Sequence, residues 1–328
     1  MPRKGKIPKF LFLIWGLNII GLLGLGFFLW MTLSATIETH PELATPEELS
    51  SAPPTAALSI APTTYFLPTV TPNPRGTFIA ETTPTAFDYV PGTQQSPLPM
   101  VIGYSVAGRP LEVFRFGYGA SERLIVAGIH GGYEWNTIAL ADELIAELYA
   151  HPELVPPDVT LYILRALNPD GYERGHDRTG RTNENNVDLN HNFPYHWELE
   201  WDREGCWNYL PTTGGTHAGS EPETIALMNF INLHNFDALI SYHSAALGIF
   251  AGGMPPFAPS ENLAQKLANT SPYSYPPLDT GCEYSGNLTD WASSVVGIPA
   301  VDIELSNHRD TDFGANLRIL NVFLNWEE

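Results

Sequence analysis

Residues Arg123–Thr137 read RLIVAGIHGGYEWNT. Five of the six residues Leu124–Ile129 are apolar, a short run that reads as a strand buried on both faces. His130, two glycines, Tyr133 and Glu134 follow at once. A hydrophobic strand that ends in an imidazole, with a carboxylate four places on, sets the fold and chemistry to look for in the rest of the chain.

Outward from this stretch, strand and helix patterns alternate. Met100–Tyr104 and Leu111–Phe116 flank Ala107-Gly108-Arg109-Pro110, a turn signal, and read as a hairpin. Asn136–Tyr149 carries apolar residues at Ile138, Leu140, Ala141, Leu144, Ile145 and Leu148, a helical stripe. Val159–Leu164 reads as a strand. Glu221–His234 reads as a helix with Ser220 as N-cap and Pro222 and Glu223 in its first turn. Phe236–Ile240 and Ala300–Leu305 are predicted strands. Glu261–Ala268, Leu288–Val295 and Asp312–Trp326 are predicted helices. This order predicts an α/β domain with a mixed, largely parallel central sheet flanked by helices. In such folds the functional groups gather beyond the carboxyl ends of the strands, where His130 sits.

The chain has 328 residues and a formal net charge of −20. Residues 1–9 form a basic flank with Arg3, Lys4, Lys6 and Lys9. Residues 10–37 carry no charge and exceed the roughly 20 apolar residues that cross a bilayer. Trp15 and Trp30 lie near the two ends of this run, where indole rings favour the interface. The expectation is a retained transmembrane anchor with the rest of the chain outside the cell membrane. The rival is a cleaved signal peptide, with Leu33-Ser34-Ala35 as a poor cleavage site. Residues 38–95 are rich in proline and threonine and read as an extended, disordered linker. Residues 96–328 form the folded domain, with thirty acidic against eleven basic residues. That balance argues against nucleic acid as a partner. Cys206 and Cys282 would lie in an oxidising space, where a disulfide and two separate thiols are both open.

Other predicted strands also end in chemistry. His243 closes FDALISYH, Arg165 follows LYIL ahead of Asn168-Pro169-Asp170-Gly171, and Glu304 lies near the end of GIPAVDIELS. The loop GRTNENNVDLNHNF adds Arg181, Asp188, Asn190, His191 and Asn192. His130, Glu134 and His243 would make a Zn²⁺ site, two imidazoles and one carboxylate that leave a fourth position for water. Each residue also has an ordinary reading: a hydrogen-bonded strand-end histidine, a Glu304–Arg309 ion pair, a turn capped by Asp188. His217, in TGGTHAGSEPET, is a spare ligand or substrate contact, while His176, His196 and His308 read as surface or supporting residues.

The order of these segments decides between the readings. GIHGGYE, NPDGYE, the VDLNHNF loop after RTN, SEPET, SYHS and DIELS together resemble the zinc carboxypeptidases related to carboxypeptidase A, over nearly all of the domain. The resemblance implies one Zn²⁺ per domain, held by His130, Glu134 and His243. It implies Glu304 as general base and then proton donor, and Arg181 as the group that stabilises the oxyanion. It also implies Asn190 as a contact for the substrate's terminal carboxylate, and Asp188 as the carboxylate that orients His130. The implied activity is hydrolysis of peptide bonds near the C-terminus of extracytoplasmic peptides.

Three departures bear on that reading. The family places two residues between the first His and the Glu, and this chain has three. His191 stands where the family commonly has a carboxylate-pairing Arg, which implies weaker binding of C-terminal carboxylates or binding that improves as pH falls toward 6. Tyr284 is the nearest match, at the wrong offset, to the family's substrate-capping Tyr. Thr289, small and neutral, falls where side-chain preference is set. A cell-wall peptide amidase or DL-peptidase, an acylase of the related branch, and a degenerate ligand-binding domain remain as rivals.

Overall fold

The structure, a computed structural model, describes residues 98–201, 210–245, 248–279, 281 and 284–328. The predicted membrane span at 10–37, the linker at 38–95, Cys206 and Cys282 lie outside the described residues. Among the described residues no helix is long and apolar enough to cross a membrane.

Among the described residues seven strands form one mixed sheet: β1 (Met100–Tyr104), β2 (Pro110–Gly117), β3 (Ser121–Val126), β4 (Val159–Leu164), β5 (Phe236–Ser244), β6 (Gly248–Ala251) and β7 (Ala300–Leu305). Their spatial order is β1-β2-β4-β3-β5-β7-β6. The four inner strands β4, β3, β5 and β7 run parallel, and β1, β2 and β6 add antiparallel edges. The expected hairpin is β1–β2.

Among the described residues six α-helices accompany them: α1 (Trp135–Ala150), α2 (Pro169–Arg174), α3 (Pro222–Asn232), α4 (Ala258–Ala268), α5 (Leu288–Trp291) and α6 (Phe313–Leu324). The inner strands are apolar on both faces because both faces are covered. Ile125 and Ala127 pack with Leu140, Leu144 and Leu148 of α1, Leu263 of α4 and Leu320 and Phe323 of α6. Leu124 and Val126 pack on the other side with Leu227, Phe230 and Ile231 of α3 and Leu288 and Trp291 of α5. Arg123, buried at the start of β3, donates to the carbonyls of Phe323 and Trp326 and so ties down the end of α6.

Several boundaries differ from expectation. β3 ends at Val126, three residues early, because Gly128 takes φ +64° and bends the chain off the sheet. β5 runs on to Ser244, so His243 lies inside the strand. Glu221, not Ser220, is the N-cap of α3, without a side-chain bond to the helix; the Ser220 hydroxyl instead donates to Glu221. The predicted helix at Leu288–Val295 is α5 followed by a π-helical turn, Ala292–Val296. Strand β6, four residues long, had no alternating pattern to announce it.

The chain leaves β3 toward β4 on one side, while β5 lies on the other. The strand order therefore reverses around β3, and the crevice at the carboxyl ends of β3 and β5 is where ligand sites form in such sheets.

Candidate metal centre

His130 arrives four residues after β3, and His243 comes from β5, the next strand over. Glu134 returns to them through a single 3₁₀ turn, Gly131–Glu134, capped by His130. Residues three and four apart lie on the same face of a helical turn, so either spacing brings the carboxylate back to the first histidine. The fourth residue is accommodated by the glycines. Gly131 takes φ +48°, and a Cβ on Gly132 would lie 2.0 Å from the Gly175 carbonyl oxygen. Glu134, the ligand the unusual spacing put in question, thus reaches the site.

The three side chains are buried and their ligand atoms meet. His130 Nδ1 lies 2.8 Å from Glu134 Oε1 and 3.3 Å from His243 Nδ1, and His243 Nδ1 lies 3.5 Å from Glu134 Oε2. Zinc bonds of about 2.0–2.1 Å in tetrahedral geometry place ligand atoms roughly 3.3–3.4 Å apart. These three atoms fit such an ion, and among the described residues they are the one group of three that could hold it. His217 is not part of it; it lies in an exposed loop, with Nδ1 against the Ala218 carbonyl.

Charges around the triad are strongly coupled. Burial works against a charged Glu134, but His130 and His243 outweigh it and hold its carboxyl well below the usual range. Burial also opposes a charged His243, yet the carboxylates of Asp302 and Glu134 raise its proton affinity well above the ordinary value. Asp188, fully buried, places Oδ1 3.2 Å from His130 Nε2 and accepts from Arg181 Nε through Oδ2 at 2.7 Å. Arg181 and His130 hold it well below its normal pKa against the pull of burial. Asp188 also caps the turn Leu189–His191, so both the ordinary and the functional readings of it hold.

Arg181 is buried at the edge of the triad, with Nη1 3.5 Å from Glu134 Oε1. Asn168 explains the NPDG segment: its Oδ1 accepts from Gly171 N as the N-cap of α2, and its Nδ2 donates to the Arg181 carbonyl. Asn183 ties the same loop to SEPET by donating to the buried carboxylates of Glu221 and Glu223. Arg165, by contrast, pairs with Asp142 and is structural.

Glu304 stands on β7 directly opposite His243 on β5. Asn190 spends Oδ1 on the Leu288 amide and so fastens the loop to α5. Tyr284 is exposed, its ring centroid 6.4 Å from that of Phe250 on β6. Thr289 is buried and donates its hydroxyl to Asp302 Oδ2 at 2.7 Å. Asp302, whose Oδ1 lies 3.3 Å from His243 Nε2, went unremarked in the sequence. Its signal was the alternation Asp302-Ile303-Glu304, which puts both acids on one face of the strand.

His191 is buried and stacked on Trp201, ring centroids 3.5 Å apart and planes 8° from parallel. Burial pushes its pKa down to about 4, and the neighbouring Arg181 adds to the effect. The expectation that it would bind a carboxylate better as pH falls toward 6 is thereby corrected, since the ring stays neutral there. Stability carries the same signature. The unfolded chain takes up this proton near pH 6.5 and the folded chain only near 4, so this contribution is whole above pH 6.5 and lost as pH falls toward 4. Wild type should lose roughly 2–3 kcal/mol more than His191→Phe between pH 7 and pH 4.5. Urea unfolding at the two pH values measures it; parallel losses would contradict the buried neutral ring.

Comparison with known proteins gives a consistent answer. The profile of the family described as zinc carboxypeptidase matches residues 98–316. Carboxypeptidase M of Mus musculus is 28% identical over 208 residues, 55% of this chain and 43% of its own length. Murein peptide amidase A of Escherichia coli K12 is 30% identical over 162 residues, 47% of this chain and 60% of its own length. The chain thus matches about half the length of these relatives. The crystal structure of a murein-tripeptide amidase from Escherichia coli O157 superposes with a TM-score of 0.54 at 23% identity, covering 71% of this chain and 93% of that one, a likeness of fold.

Proposed function

Since the chain belongs to the zinc carboxypeptidase family, we propose that it is a zinc-dependent hydrolase that cuts an amide bond near the carboxyl end of extracytoplasmic peptides. The observation that carries this reading is the meeting of His130 Nδ1, His243 Nδ1 and the Glu134 carboxylate within 3.5 Å, with Arg181 against one side and Glu304 one strand away. Zinc in that position supplies a Lewis acid that acidifies water and polarises a carbonyl. Glu304 takes the proton from the attacking water and hands it to the departing amine. Arg181, its Nε committed to Asp188, turns its outer N–H groups to the oxyanion. Asp188 holds both Arg181 and His130, so one buried carboxylate aligns the electrophilic and the metal-binding halves of the site.

A second reading, a cell-wall peptide amidase, is favoured by one observation. The position expected to grip a terminal carboxylate holds a buried, neutral imidazole stacked on Trp201. A substrate whose end is recognised without a cation there suits that site better than a free C-terminal residue does. The uncharged run at 10–37 and its basic flank support an anchored domain outside the cell membrane.

The purified full-length chain should bind one zinc per molecule, and a chelator should abolish hydrolysis until zinc is returned. Terminal peptides, muropeptides and N-acyl amino acids offered in parallel separate the readings: muropeptide cleavage alone selects the amidase. A chain that takes up no zinc refutes both.

A further inference from the structure

Each histidine of the triad has a carboxylate oxygen close to its second ring nitrogen. For His130 this is Asp188. For His243 it is Asp302, on β7, whose Oδ1 lies 3.3 Å from Nε2. We propose that Asp302, braced by Thr289, is a positioning residue for His243, fixing the ring so that Nδ1 faces His130 and Glu134; this rests on the zinc reading above.

The sheet makes the contact. β5 and β7 run parallel with Ser241 opposite Asp302 and His243 opposite Glu304. Two acids on one face of β7 therefore meet the same imidazole strand, Glu304 beside His243 and Asp302 one pleat below. Protonation decides what Asp302 can do. An imidazole that binds a metal through Nδ1 keeps its one proton on Nε2 and donates it. Two acceptors stand within reach of that nitrogen, Ser241 Oγ at 2.9 Å and Asp302 Oδ1 at 3.3 Å. Asp302 Oδ1 is buried and has no aligned donor of its own. Buried acceptors lose free energy when unpaired, and the Nε2 proton is the donor beside it.

The brace is equally specific. Asp302 Oδ2 accepts the Thr289 hydroxyl at 2.7 Å, and Thr289 sits in the first turn of α5 behind the cap formed by Asn287. This arrangement gives Thr289 a task other than contact with a substrate side chain. It also makes the two halves of the site alike, with Asp188 and Asp302 each holding one ring from behind.

The test is zinc affinity of the full-length chain, measured by competition with a chelator, in Asp302→Asn, Thr289→Val and Ser241→Ala. Asp302→Asn should bind zinc about 10- to 100-fold more weakly, and Thr289→Val should move the same way by about threefold. Ser241→Ala should stay within about twofold of wild type. A cobalt-loaded Asp302→Asn chain should show shifted visible absorption bands while the unfolding midpoint of the metal-free chain stays put. A purely structural acid would move the midpoint and leave the bands alone. If Asp302→Asn does not fold, Thr289→Val, which keeps the carboxylate, decides the matter. Wild-type zinc affinity in Asp302→Asn or in a lone Thr289→Val, or a loss carried by Ser241→Ala instead, overturns the inference. A wild-type chain without zinc overturns the proposed function, and this inference falls with it.

Discussion

Glu304→Gln should keep its zinc at the wild-type stoichiometry and lose roughly 10²- to 10⁴-fold in kcat, the range for removing a positioned general base. The side chain is not one of the three ligands, so the metal has no reason to leave. Its place is set by register: Glu304 stands across from His243 between two parallel strands whose neighbours Val301, Ile303 and Leu305 are buried core. Gln preserves shape and hydrogen-bonding reach but cannot hold a proton at neutral pH. The substitution therefore removes the chemistry while leaving the fold alone. Zinc content and hydrolysis measured on one preparation provide the check, and full activity in Glu304→Gln would mean that another group moves the proton.

His243→Ala should fail in the opposite way. Two ligands from one turn remain, and zinc should be lost together with all measurable hydrolysis, because a catalytic site of this type rests on three protein ligands. The metal-free protein should suffer as well. His243 Nδ1 lies 3.5 Å from Glu134 Oε2 and its Nε2 lies 3.3 Å from Asp302 Oδ1, so its removal takes from both carboxylates the imidazole they face, while Glu134 keeps the Ser244 amide as donor. The expected cost is about 1–3 kcal/mol. Reduced stability together with absent zinc distinguishes His243→Ala from Glu304→Gln, which should change neither. Retained zinc in His243→Ala would remove this histidine from the ligand set.

The strand–helix alternation was readable because the parallel strands are covered on both faces and so appear as short apolar runs, as in Leu124–Val126 and Val159–Leu164. The helices declared themselves through a single buried stripe, as in α1. The ligand set was readable through the order of the segments that resemble the zinc carboxypeptidases, since His130, Glu134 and His243 each had an ordinary reading alone. What stayed hidden depended on contacts between distant segments. Nothing near His191 in sequence announces that Trp201 will stack on it, or that the ring will be buried, and burial is what holds it neutral. Asp302 looks like any polar residue of an alternating strand until β5 is laid beside it. Thr289 could be placed by analogy as lining a substrate pocket, but its hydroxyl is engaged with Asp302. The extra residue in HGGYE looked like a disturbance, and only the 3₁₀ turn with its glycine packing makes it harmless.

That glycine packing reaches further. A methyl group on Gly132 would collide with the Gly175 carbonyl, and one on Gly180 would approach the same oxygen to 2.1 Å. The hinge that delivers the ion's first two anchors and the bend that delivers Arg181 are therefore pressed backbone to backbone. Drift in one must be answered by drift in the other, so the pair should be inherited together, and an alteration at either glycine should be felt as a double lesion.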